Sequence, residues 1–157
     1  ISGKLNPQRG GPGYRDFTME EDYAPKYSYL TADTPDLWRR SIYRFVVRSS
    51  PEPFMTTLDC PNPAVLTPAR LTTTTALQSL ALLNNDFILK QAGYFAERVK
   101  REVGADVSAQ VRVAFRIAFG RDPDDDEAMA LRGLTEEHGL AALCRVLFNA
   151  NEFVHID

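Results

Sequence analysis

Asp59, Tyr43, Arg39 and Arg40 are the side chains whose types could carry out acid–base chemistry on an anionic substrate. A carboxylate and a phenol can serve as general acid and base where both reach a reacting group. Neighbouring guanidinium groups can hold a sulfate or carboxylate through paired N–H donors. The four residues occupy two separate stretches, so the catalytic reading requires them to meet in space. The reading favoured by sequence is plainer: Arg39 and Arg40 pair with Asp36, with Asp59 or with the acidic residues of the N-terminal arm. Gln78, Asn84 and Asn85 are candidate binding residues. As amides on or beside an apolar helix they need partners, and the expected partners are backbone groups, tying the 60–74 loop to the helices. In the rival reading, these amides and the Thr72–Thr75 run line a sugar-binding groove together with Tyr43 or Trp38.

Other motifs point away from catalysis. Asp122-Pro-Asp-Asp-Asp-Glu127 resembles the start of a calcium loop. An EF-hand requires Gly at the sixth position and Glu at the twelfth. Glu127 and Gly133 stand there instead, so the acidic run is expected to cap a helix and complement its dipole. His138 and His155 have no Cys, His or carboxylate at ligand spacing, so no metal site is expected. Cys60 falls in a Pro-rich loop and Cys144 in an apolar helical stripe, and two free thiols are expected, with a bridge becoming plausible if the parent protein is exported. No Cys-x-x-Cys-His, Gly-x-Ser-x-Gly, P-loop or dinucleotide fingerprint is present, so no cofactor is expected in this piece.

The elements that must position these residues are mostly helical. Residues 1–35 carry Gly10-Gly11-Pro12-Gly13, several prolines and the tyrosines 14, 23, 27 and 29 without a sustained period. They read as an irregular arm that wraps a surface. Thr34-Pro35 reads as an N-cap and first-turn proline. Trp38, Ile42, Phe45 and Val46 then recur at helical spacing, with a strand through Tyr43, Phe45 and Val47 as the competitor. Residues 49–74, broken by five prolines, read as an irregular crossing loop. From Thr75 the pattern is helical nearly to the end. The Thr75–Asn85 segment is expected to be a capped, mostly buried helix. Later helices start at Asn85 or Asp86, at Asp106 or Ser108, within the acidic run Asp124–Glu127 and at Leu140, with ends at Gly104, Gly120 and Gly139, and Phe153 and Val154 continue or follow the last. The expected architecture is all-α: a bundle of about five to six helices with an irregular Pro/Gly/Tyr-rich arm, forming a single domain over residues 1–157, arm 1–35 and bundle 36–157.

The totals agree with one globular domain. A chain of 157 residues buries around 70% of its unfolded surface. The 18 Lys and Arg stand against 21 Asp and Glu, with no basic stripe, which removes the electrostatic footprint of a nucleic-acid binder. No stretch approaches the roughly 18 apolar residues of a membrane span. Because the sequence opens on Ile-Ser-Gly without Met or leader, it is expected to be an excised piece of a longer polypeptide.

Several stretches together carry a family resemblance. They are Ser2-Gly3 with Gly10-Gly11-Pro12, Arg39-Arg40-Ser41-Ile42-Tyr43, Asp59-Cys60-Pro61-Asn62, Thr74–Leu80, Leu82-Leu83-Asn84-Asn85, Ala114–Arg121 and Asn149–Phe153. In that order they resemble the C-terminal domain of unknown function of large planctomycete-type proteins that also carry a cytochrome c-like domain. Ala76, where Pro is common, and Val154-His155, where an aromatic often stands, depart from the pattern. The resemblance implies export to the periplasm or beyond, haem c in an upstream domain only, and work on complex polysaccharides. It implies no catalytic residue. The expected role is a non-catalytic module packing on upstream domains of the same polypeptide. The alternatives are a share in an inter-domain active site for sulfated glycans, built from Asp59 and Tyr43, and a carbohydrate-binding module.

Overall fold

The computed structural model describes residues 1–62, 65–66 and 75–154. Thr72 to Thr74 and His155 therefore lie outside the described residues. The chain divides into two compact units, Leu5–Ala81 and Ile1–Lys4 with Leu82–Asp157.

The Leu5–Ala81 unit corrects the purely helical expectation. Strands β1 (Phe17–Glu20) and β2 (Lys26–Tyr29) form an antiparallel hairpin with Phe17 opposite Tyr29 and Met19 opposite Tyr27. The two-residue period places all four of these side chains on one face. Phe17 meets Tyr27 and Tyr29 edge-on at 5.4 and 5.9 Å, and Phe45 at 5.9 Å. Such aromatic contacts favour the pairing beyond simple burial.

The helix expected after Thr34-Pro35 does not form. Leu37 N–H bonds back to Thr34 O at 2.9 Å, closing a turn with Pro35 at its second position, where a fixed φ suits it. The chain then runs mostly extended, interrupted by a 3-10 turn at Ser41–Tyr43. Its backbone pairs with the arm: Asn6 N–H with Trp38 O at 2.9 Å, Tyr14 N–H with Tyr43 O at 2.9 Å, and Phe45 N–H with Tyr14 O at 2.8 Å. These bonds satisfy the backbone that a helix would have satisfied internally. A Cβ on Gly13 would lie 3.1 Å from Tyr43 O, so glycine permits this close approach.

The Pro-rich loop holds a short helix, α1 (Pro53–Thr57), capped by Glu52, whose carboxylate accepts from Phe54 and Met55 N–H at 3.0 and 2.7 Å. It ends in a Schellman pattern, with Asp59 N–H on Thr56 O at 3.2 Å and Cys60 N–H on Met55 O at 3.0 Å. Helix α2 (Ala76–Asn84) forms where expected, yet it is not mostly buried. Gln78 is its buried residue, while Leu77 and Leu80 are 65% and 56% exposed.

The second unit holds the helices α3 (Asp86–Val103), α4 (Val107–Phe119), α5 (Asp125–His138), α6 (Leu140–Asn149) and α7 (Asn151–Val154). Their ends follow the sequence signals. Asn85, Asp106 and Asp124 accept first-turn N–H groups, and Gly104, Gly120 and Gly139 terminate with positive φ. The core joins Phe95, Val99, Val111, Ala114, Phe115, Leu143, Cys144, Leu147 and Phe148. Truncating the fully buried Phe95 to Ala costs about 3–5 kcal/mol, lost transfer energy plus a cavity. The first four residues of the arm lie along α3: Ser2 Oγ donates to Gln91 Oε1 at 2.6 Å, Arg98 to Ile1 O at 2.6 Å, and Lys4 Nζ stands 4.4 Å from the centre of the Tyr94 ring. No described helix is long and apolar enough to cross a membrane.

Candidate functional site

The structure brings Arg39 and Tyr43 together, the guanidinium 4.4 Å from the ring centre. Arg39 does not take the carboxylate partner the sequence suggests. It donates to the carbonyls of Pro12 at 3.0 Å, Gly10 at 2.6 Å and Gln8 at 3.4 Å. The Gly10-Gly11-Pro12 loop needs positive φ at both glycines, and its inward-turned carbonyls are what the arginine binds. Arg40, exposed beside it, supplies the carbonyl that accepts Tyr43 N–H at 2.9 Å. Trp38 is half-buried and its indole N–H donates to Ala32 O at 3.2 Å.

Asp59 and Gln78 form a second set. Gln78 Nε2 donates to Asp59 Oδ2 at 2.8 Å. The same Gln78 exchanges a capping box with Thr75: its Oε1 accepts Thr75 N–H at 3.0 Å, and its own N–H donates to Thr75 Oγ1 at 3.2 Å. The amide thus ties the end of α1 to the start of α2 through a carboxylate rather than the expected backbone groups, and residues 63–64 and 67–74 of the 60–74 loop lie outside the described residues. Asn84 Oδ1 accepts from Arg145 at 3.0 Å, while Arg145 Nε reaches Leu83 O at 2.5 Å, so one arginine caps the carboxyl end of α2. Asn85 Oδ1 accepts Phe87 N–H at 2.9 Å as the N-cap of α3.

The acidic run is a helix start, as its composition suggests. Asp124 and Glu127 form a capping box at 2.7 and 2.9 Å. Arg121 grips both Glu127 and Glu152 through paired bonds of 2.8 Å, with its guanidinium over Phe115 at 4.7 Å. The Arg121 bond, followed by the Asp124 N–H, holds the Glu127 carboxyl down at about 2. Among the described residues no three His, Cys, Asp or Glu side chains gather to hold a metal. Cys60 and Cys144 are free thiols, the first exposed and the second buried.

The sequence matches the family PSD1, proteins of unknown function (DUF1553), over residues 1–135. The chain belongs to that family. The match takes in the whole Leu5–Ala81 unit, α3, α4 and most of α5. The Asn149–Phe153 stretch lies beyond it. No curated protein and no solved structure matches the chain.

Sequence reasoning missed an enclosed charged pair of this PSD1 chain. Arg44 Nε lies 2.7 Å from Asp16 Oδ2, with the two side chains only 9% and 12% exposed. Arg44 also covers the Tyr29 ring at 5.0 Å. Burial alone would lower the arginine's pKa; the bond to Asp16 and the nearby carboxylates outweigh it, so the group is held more firmly charged. Burial, then the Asp16 charge, pushes the Tyr14 phenol up. Asp16 Oδ1 and Arg44 Nη2 are buried without a hydrogen-bond partner among the described residues. A charged residue in the middle of the apolar Ile42–Val47 run was the available signal. At helical spacing Arg44 falls off the face of Trp38, Ile42, Phe45 and Val46, which hid it.

Proposed function

We propose that this chain is a non-catalytic packing module that docks on an upstream domain of its parent polypeptide. The observation that carries the reading is α2. Its buried residue is the amide Gln78, whereas Leu77 and Leu80, one helical turn apart, face water. Each leucine forgoes a part of the roughly 1.5–3 kcal/mol that full burial provides, and contiguous exposed apolar surface marks interaction sites. Ile42, at 82% exposed, adds to the apolar side chains that the same unit offers to a partner. The candidate binding residues support this reading from the other side, because Arg39, Gln78, Asn84 and Asn85 are occupied with loop, helix and cap bonds.

The setting proposed for the module comes from the family resemblance. It is an exported polypeptide with haem c in a separate upstream domain, engaged in polysaccharide processing.

The test is to mix the chain with the upstream region of its parent and follow co-elution and thermal stability. Co-elution with a raised Tm is expected, lost in L77E/L80E while the variant keeps its helical circular dichroism. Absence of association, or association indifferent to both substitutions, overturns the reading.

A further inference from the structure

Between α4 and α5 lies a groove of about 320 Å³. Val111, Pro123, Ala128 and Met129 give it apolar surface, and two arginines, Arg112 and Arg132, face one carboxylate, Asp125, along it. The volume is at the small end of the range for ligand pockets, roughly 300–1,000 Å³, and suits one aromatic side chain. Met129 is 69% exposed, so its own chain leaves this surface uncovered. Arg132 is engaged with Glu136 at 2.8 Å, an exposed i,i+4 pair of the kind that exchanges partners at little cost.

The hairpin carries a complementary feature. Its loop, residues 21–25, has Tyr23 at the apex, fully exposed, directly after Glu20, Glu21 and Asp22. Asp22 is turned to Lys26 at 3.7 Å, which leaves Glu20 and Glu21 as the carboxylates presented with the ring. Glu20 stands opposite Lys26 in the hairpin, so Glu21 is the carboxylate beside the ring with no cation facing it in the register. An aromatic side chain in open water is useful at an interface.

We propose that the α4–α5 groove receives the hairpin tip of a second copy of this chain. Tyr23 sits on the Val111–Met129 surface, and Glu20 and Glu21 meet Arg112 and Arg132. Asp125, the carboxylate on the groove wall, accepts the Tyr23 hydroxyl, which gives tyrosine an advantage over phenylalanine at this position. The two patches differ, so the contact is head-to-tail and extends or closes into a ring rather than forming a two-fold dimer. A single hairpin tip covers less than the roughly 800 Å² per partner of a standard interface, which places the association in the weak class. Its charged component makes it salt-sensitive. Leu77 and Leu80 take no part, so L77E/L80E leaves this association unchanged and separates it from docking on an upstream domain.

Sedimentation equilibrium of the 157-residue chain, from micromolar to millimolar concentration, tests the proposal. The weight-average mass is expected to rise with concentration at low salt and to return to the monomer value in about 1 M salt, where screening is nearly complete. Y23A, a change in an exposed loop, and R112E/R132E should each abolish the rise. A mixture of R112E/R132E with E20K/E21K should restore it, because the reversed tip fits the reversed groove. A monomer mass at every concentration, a rise that survives in the variants, or a mixture that stays monomeric overturns the proposal.

Discussion

Asp59 stands at φ 56, in the left-handed region that an L side chain enters at a cost of roughly 1–2 kcal/mol, somewhat less for Asp and Asn. The Schellman ending of α1 requires that conformation, and glycine is its usual occupant. Aspartate is accounted for by its carboxylate, which receives the buried Gln78 amide at 2.8 Å. Losing a hydrogen bond to a charged group costs about 1.5–3 kcal/mol, somewhat more than glycine would recover. The expected stability order by urea denaturation is Asp59→Asn near wild type, Asp59→Gly lower, and Asp59→Ala lowest by about 2–3 kcal/mol, since alanine loses the bond and keeps the strain. A glycine variant more stable than wild type would refute the bond as the reason for aspartate. The need of Gln78 for a partner was legible from an amide in an apolar helix. The partner was not, because sequence offers no register between a Pro-rich loop and a helix. Arg39 failed in the same way: its charge suggested a carboxylate, but its partners are carbonyls, which every residue carries and no residue type reveals.

Among the elements, α3 to α6 were readable because their information is local. Asn85, Asp106 and Asp124 bind N–H groups two or three residues ahead, and Gly104, Gly120 and Gly139 turn within a single residue. The Trp38–Val46 stretch misled because four apolar residues at helical spacing also fit an extended chain whose partner, the arm from Asn6 to Tyr14, has no period to announce it. The burial of α2 was misread because apolar composition alone does not say that a helix finds something to cover it. The start of α5 yields a pH prediction. Glu127 has its folded pKa depressed from an ordinary value of 4.5 to about 2, by Arg121 first and by the Asp124 N–H second. A depressed carboxylate adds stability that is fully present above the unfolded pKa and fades as pH falls through the folded one. The Glu127 contribution should therefore weaken between about pH 4.5 and 2, and Glu152, lowered chiefly by the same arginine, should add to that slope. Thermal melts across that range should show a steep fall in Tm for wild type and a shallower one for Arg121→Gln. Carboxyl titration by NMR should find Glu127 moved back towards its ordinary value in the variant, and an unchanged titration would exclude Arg121 as the main cause.

For the whole molecule, the decisive feature is how unevenly apolar burial is shared. Of the buried hydrophobic residues described, Val47 belongs to the Leu5–Ala81 unit, and the others, from Ala92 to Phe148, belong to the helical unit. The first unit relies instead on the Asp16–Arg44 pair, the Phe17 aromatic contacts and the carbonyl bonds of Arg39. Burial of apolar surface is the dominant favourable term in folding, whereas hydrogen bonds and ion pairs add modest net amounts. The Leu5–Ala81 unit should therefore give way first. Two built-in reporters separate the units. Trp38 is the sole tryptophan and lies in the first, while Cys144, fully buried on α6, lies in the second. Burial pushes the Cys144 thiol up to about 12, so near pH 8 it reacts with a disulfide reagent only when the helices open. The exposed Cys60 reacts at once and sets the reference rate. In increasing urea, the Trp38 fluorescence change is expected at lower concentration than the exposure of Cys144. Coincident transitions would mean that the two units unfold as one cooperative body and that the polar contacts of the first are worth far more than their kind usually is. Cys144 labelling as fast as Cys60 without denaturant would contradict the helical core itself.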